Sequence, residues 1–195
     1  MKLRNTSEKW GMIGQSLHWL IAILIIALWL VAEVMMGMLP PTDPALGTPS
    51  NTFLDMSKWE LYGLHKEVGV LVLLLAVARV LWRFTSITPT HGDNMNMLEK
   101  LLANGVHLAL YAVMFAMPIS GYIMSMAGGH GILFFGFPLP DLIGANPELG
   151  KTARWIHHEA FELFWMILAL HVAGAFYHYY VKKDGVLQRM LPTRD

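Results

Sequence analysis

Residues 156–181 read IHHEAFELFWMILALHVAGAFYHYYV, an apolar run with His157 and His158 at its start, His171 fourteen residues after His157, and His178 seven further on. Fourteen residues is close to four turns of an α-helix, so His157 and His171 project from nearly one face, about 21 Å apart along the axis. A run of this length spans a bilayer core. Imidazoles within it are costly in lipid unless they bind or move something, which makes each intramembrane histidine a candidate functional residue.

The rest of the chain repeats the pattern. At 195 residues it reads as a single domain, 1–195, and 55% hydrophobic content sets it apart from an ordinary soluble protein. Four runs are apolar enough to span, at about 15–39, 64–83, 101–124 and 156–181. The first, Leu17 to Leu39, is interrupted only by His18 and Glu33, is long for the apolar part of a signal peptide, and has no small-residue cleavage site after it. It reads as a retained span, with Thr6 or Ser7 as the candidate cap of a helix that begins well before the lipid. Pro40-Pro41-Thr42-Asp43-Pro44 stops that helix, and Gly47, Pro49 and Asn51 mark a loop reaching Tyr62. Pro118 lies inside the third run and predicts a kink, since neighbouring helices can re-satisfy the freed carbonyl. From Ala127 to Ala153 the sequence reads as a long Gly- and Pro-rich loop, whose apolar patch Ile132 to Pro138 is too short to span and predicts an interfacial or re-entrant cap. The expected fold is all-α, an integral membrane four-helix antiparallel bundle.

Composition narrows the chemistry. Fourteen basic and fourteen acidic residues balance, which gives no sign of a nucleic-acid partner. The absence of cysteine excludes disulfides, iron–sulfur ligation, thiolate zinc sites and covalent c-type haem attachment. Nine histidines leave imidazole as the leading metal ligand, ahead of the fourteen methionines.

Basic residues set the orientation. Lys2, Arg4, Lys9, Arg79, Arg83, Lys100, Lys182, Lys183, Arg189 and Arg194 fall on one side, and Lys58, Lys66, Lys151 and Arg154 on the other. Ten against four predicts both termini in the cytoplasm. Trp10, Trp59, Trp82 and Trp155 then lie near the interfaces. With this topology the histidines sort into two layers: His65 and His157 near the outer face, and His18, His107 and His171 in the inner half. For any one of them alone, a buried histidine satisfied by a carbonyl is the simpler reading. Their pairing by depth favours ligation of haem iron by two facing imidazoles in an apolar slot.

Several choices stay open at this level. His158 competes with His157, which helical phase favours, and His107 competes with His18 as the partner of His171. Gly69, Gly121 and Gly174 allow a flat cofactor to approach backbone, or serve plain helix packing. His107 and His178 are candidates for supporting a haem propionate or meeting a quinone; Lys182 and Lys183 are further candidates at the quinone end. Arg79 and Arg83 pair with propionates or snorkel to the surface. Glu33 and Glu162 stand out within apolar runs, Glu162 as a proton-handling group or a partner of a histidine. Lys66, Lys151 and Arg154 form a basic outer rim that would attract a small anion. His91 and His130 fall in loops and read as solvated.

Taken together, Ser16-Leu17-His18-Trp19-Leu20, Leu64-His65-Lys66-Glu67-Val68-Gly69, Val106-His107-Leu108 and the run from His157 through His171 to His178-Tyr179-Tyr180 resemble the bacterial cytochrome b561 family over essentially the whole chain. That family is related to the cytochrome b subunits of nickel hydrogenases and formate dehydrogenases. The resemblance implies two b-type haems, one held by His18 and His171 on the cytoplasmic side and one by His65 and His157 on the periplasmic side. It also implies a multi-pass protein of the bacterial inner membrane, with lipid and quinone as partners. Short members of the family resemble a superoxide oxidase that passes electrons from superoxide to ubiquinone. Two other functions compete: a subunit linking quinone to a separate dehydrogenase or hydrogenase, and a non-redox transporter or anchor whose histidines bind metal or protons. The donor would be superoxide or a redox protein.

Overall fold

A computed structural model describes residues 3–38, 52–89 and 95–191. The stop signal Pro40–Pro44, the loop breakers Gly47, Pro49 and Asn51, His91, Lys2 and Arg194 lie outside the described residues. Four helices carry the chain: α1 Met12–Gly37, α2 Lys58–Thr85, α3 Met97–Ala127 and α4 Pro147–Phe176. All four are long and apolar enough to cross a membrane. This bears out the all-α four-helix membrane fold.

The helix ends differ from the apolar limits, for local reasons. α2 begins six residues before Leu64 because Ser57 and Glu60 form a capping box: Ser57 Oγ accepts from the Glu60 amide at 3.4 Å, and the Ser57 amide donates to Glu60 Oε2 at 2.7 Å. Asn96 and Glu99 do the same for α3, at 2.9 Å in each direction. The largest correction is α4, which starts nine residues before Ile156. Asn146 Oδ1 accepts from the Leu149 amide at 3.1 Å, Pro147 occupies the first turn and Glu148 complements the helix dipole. α1 starts at Met12, with Gly11 as its cap. Thr6 closes a turn with the Lys9 amide at 3.1 Å instead of capping the helix, so His18 stands under two turns from the start.

The interfacial patch is a short hairpin, β1 Leu133–Phe134 and β2 Phe137–Pro138, in antiparallel register. Phe135 and Gly136 turn it with φ of 47° and 85°. Positive φ at both central positions is the turn that matches strand twist. The hairpin lies over the N-terminal part of α2, tied by the Phe135 amide to the Glu67 carboxylate and by Lys66 Nζ to the Gly131 carbonyl at 2.9 Å.

α1 packs on α2, α2 on α3 and α3 on α4. One seam joins Met35, Met38 and Leu61 between α1 and α2; the other joins Val113, Ala160 and Ile167 between α3 and α4. Across the middle, α1 and α4 meet through Trp29 and Trp165, ring centres 4.9 Å apart. Ile23, Leu30, Leu74, Leu108, Met166 and Leu170 point outward, as a surface solvated by lipid requires.

Candidate functional site

The interior face of the bundle carries imidazoles in facing pairs. His65 of α2 faces His157 of α4 with ring centres 6.4 Å apart, and His18 of α1 faces His171 of α4 at 6.2 Å. His107 of α3 also meets His171, at 5.3 Å. A metal–imidazole bond is about 2 Å and the ring nitrogen stands about 1 Å from the ring centre, so two imidazoles on opposite sides of one metal have centres about 6 Å apart. Both depth-matched pairs have that spacing. His107 stands closer to His171 than that spacing. Among the described residues, no group of three or more His, Cys, Asp or Glu is placed to hold a metal ion.

His157 is oriented from α3. Its Nδ1 lies 2.9 Å from the Met117 carbonyl and 3.2 Å from Ser120 Oγ, which itself donates to the same carbonyl at 2.9 Å. A carbonyl only accepts, so Nδ1 carries the hydrogen and the Nε2 lone pair is left for a ligand, the arrangement typical of metal-binding histidine. Gly121 makes room for the ring: a Cβ there would stand 3.2 Å from His157 Cε1. His158 is turned to the exposed surface of α4. His158→Ala is therefore expected to leave the visible spectrum and haem content of the purified protein unchanged, whereas His157→Ala changes both.

The two pairs also fit a flat apolar cofactor. Gly69, one turn beyond His65, and Gly174, three residues beyond His171, have no protein atom within 4 Å of where a Cβ would stand. His65 Nδ1 is buried with the Leu28 carbonyl as neighbour but makes no hydrogen bond of ordinary geometry. Between the layers, Trp165 gathers Trp29, Phe161 and Phe164 edge-on, and Trp29 Nε1 donates to Glu33 Oε1 at 3.0 Å. That bond accounts for the carboxylate inside the first apolar run. Glu162 is exposed and meets none of the paired histidines.

At the inner end, α4 passes into a π-helical turn, Tyr177–Lys182. The turn buries His178, whose Nδ1 lies 2.6 Å from Asp184 Oδ2, and aims Lys182 Nζ at Glu99 Oε1, 3.0 Å away on α3. These two pairs anchor the tail, so His178 and Lys182 are committed within the protein. Asp184 lies only six residues after His178, but nothing in the sequence marks the π-turn that joins them. Arg79 Nη1 donates to the Gly14 carbonyl at 3.1 Å, and Arg83 stacks on Trp10 at 5.7 Å.

Lys66 is held by the Gly131 and His130 carbonyls and Ser125 Oγ, and Lys151 pairs with Glu148 at 2.8 Å; only Arg154 projects as expected. Beside His65, α2 and the hairpin enclose a cleft of about 550 Å³, with Glu60, Lys66, Glu67 and His130 among its walls and Ile132 and Leu139 as its apolar floor.

Four membrane helices presenting facing imidazoles at two depths are the build of a helical membrane cytochrome. The chain belongs to the prokaryotic cytochrome b561 family, whose family model matches residues 9–193. It is 33% identical over 197 residues to cytochrome b561 homolog 2 of Escherichia coli K12, covering 98% of this chain and 95% of that one. It is 26% identical to a probable superoxide oxidase CybB of Yersinia pestis, covering 96% and 98% of the two chains. It is also 26% identical to cytochrome b561 homolog 1 of E. coli K12, covering 91% and 94%. The protein is thus a bacterial multi-pass membrane protein of electron transfer, of a family that carries b-type haem.

Proposed function

We propose that the protein holds two b-type haems and carries electrons across the bacterial inner membrane, from superoxide at the periplasmic face to ubiquinone. The carrying observation is the pair of imidazole pairs, 6.2 and 6.4 Å between ring centres, set at two depths of one bundle. His65 and His157 would hold the outer haem, and His18 and His171 the inner one. Haem iron supplies reversible one-electron chemistry when bound. The chain's own residues do the rest: Met117 and Ser120 fix the His157 tautomer, the open glycines admit the macrocycle, and the apolar helices keep water out. Both termini lie in the cytoplasm in this reading, following the basic residues.

Superoxide as donor is supported by the name of the Yersinia relative and by Arg154 at the outer end of α4. Two superoxide anions give one electron each and leave as O2; one ubiquinone takes both electrons and two protons. With His178 and Lys182 engaged elsewhere, His107 and Lys183 are the residues proposed to meet the quinone. Dithionite reduction of the purified protein is expected to give b-haem Soret and α bands. A superoxide burst in stopped flow is expected to produce the same bands quickly and to slow with added salt. No b-haem bands would favour the non-redox transporter or anchor, and haem bands without reduction by superoxide would remove superoxide as donor.

One observation favours a second reading, a subunit that passes electrons between quinone and a separate dehydrogenase or hydrogenase. The hairpin and the loop after it present Phe135, Phe137 and Leu142, 63%, 76% and 80% exposed, at what this reading makes the outer end of the bundle. An exposed aromatic patch of this kind suits a docked redox partner. Co-purification of a soluble dehydrogenase, lost with Phe135→Ser and Phe137→Ser, would select it.

A further inference from the structure

Arg79 is a half-buried cation without a carboxylate. Three-quarters of the way along α2, it reaches the Gly14 carbonyl of α1 and has the Tyr111 hydroxyl of α3 as its other polar neighbour. Among the described residues, no Asp or Glu forms an ion pair with it. Both partners are neutral. A buried charge is costly unless a counter-charge is supplied, and removing water from a guanidinium with only a carbonyl and a phenol in return leaves most of that cost standing.

A second observation points the same way. The indole Nε1–H of Trp82, one turn from Arg79 on α2, is buried with no hydrogen-bond acceptor. Trp82, Arg79, Arg83, Tyr111, Gly14 and Trp10 line a hole of about 10 Å³, the size of one oxygen-bearing group. Its wall is mostly donors: two guanidinium groups, an indole N–H and a phenol. Such a hole takes an anionic oxygen. Gly14, whose carbonyl Arg79 holds, stands one turn before His18 on α1, so the hole lies one turn from the inner histidine pair.

We propose that Arg79, with the Trp82 indole and the Tyr111 hydroxyl, forms the anion-binding end of the inner cofactor slot and takes a propionate carboxylate of the inner haem. This assignment rests on the dihaem reading. A carboxylate supplies the charge that the fold withholds from Arg79 and the acceptor that it withholds from Trp82. The phosphate of a lipid is the other anion with the same chemistry, and it enters from the bilayer instead of from the slot.

The test uses holoprotein from cells whose haem carries ¹³C at the propionate carboxylates. Redox-induced infrared difference spectra are expected to show a ¹³C-shifted carboxylate band that moves in Arg79→Gln, and to a smaller extent in Trp82→Phe. A spectroelectrochemical titration is expected to move one haem component of Arg79→Gln to lower potential, since a positive charge that stabilised the added electron is gone. The other component stays in place as an internal reference, and Arg79→Lys restores part of the shift. A moving phosphate band with the labelled carboxylate unmoved assigns the site to lipid and overturns the proposal. Unmoved bands and unmoved components in both Arg79→Gln and Trp82→Phe overturn it as well. Fewer than two haems per chain in the unsubstituted protein, measured as pyridine haemochrome, overturns the dihaem reading instead, and a labelled band that still answers to Arg79 would keep the carboxylate assignment.

Discussion

Replacing His171 with alanine is expected to remove one haem of two, and replacing His65 is expected to remove the other. His171 has one partner at the spacing of a shared metal, His18, and the nearest substitute ring, His107, stands at 5.3 Å, closer than that spacing. Loss of one axial ligand leaves an open coordination position and a cavity where an imidazole stood, in a slot whose only bonds to the metal would be those two. Pyridine haemochrome assays should therefore give one haem per chain for His171→Ala, His18→Ala, His65→Ala and His157→Ala. The combinations decide the pairing, because residues serving one site are not additive. His65→Ala with His157→Ala should retain one haem, as each does alone, whereas His65→Ala with His171→Ala should retain none. His107→Ala should retain both. A His107→Ala variant that loses the inner haem while His18→Ala keeps it would reverse the assignment.

Gly121→Val is expected to release the outer haem selectively, without touching any imidazole. A Cβ at this position stands 3.2 Å from Cε1 and 3.4 Å from Nδ1 of His157, and valine adds two methyl groups beyond it. The ring cannot swing aside cheaply, because its Nδ1 is held at 2.9 Å by the Met117 carbonyl, one turn earlier on the same helix. Overpacking of this sort costs about 1–3 kcal/mol, roughly five- to 150-fold in retention of the outer haem. Gly121→Ala falls at the lower end of that range. The measurement is haem content and the reduced-minus-oxidised spectrum after washing in detergent. Equal loss of both haems would mean that the bundle, and not the His157 seat, had failed.

The histidine depths were legible because two constants apply to any apolar helix in a bilayer: a rise of about 1.5 Å per residue and a core of about 30 Å. They put His157 level with His65 and His171 level with His18 before any packing was known. The helix ends were not legible in the same way. Asn146-Pro147-Glu148 and Ser57 with Glu60 are polar, so a reading by hydropathy places them in loops, although they carry the N-terminal signals that extend α4 and α2. The hairpin at Phe135-Gly136 was read as a cap of undefined form, since its strands are two residues each and leave no alternating pattern. The partners of the rim lysines were not legible: charge along a sequence does not show that Lys66 is held by loop carbonyls or that Lys151 lies against Glu148.

By itself the sequence determined the four spans, the membrane setting, the two layers of imidazoles and the absence of any thiolate chemistry, all of which follow from composition and helical rise along single segments. Only the tertiary structure decided which rings face each other. That choice depends on how each helix is rotated about its axis, which is set by packing between residues far apart in the chain. Met117, Ser120 and Gly121 lie about forty residues before His157, yet they turn its ring inward and leave His158 outside. The half-buried charge of Arg79 is likewise a fact of three helices meeting, Gly14 from one, Tyr111 from another and no carboxylate from either.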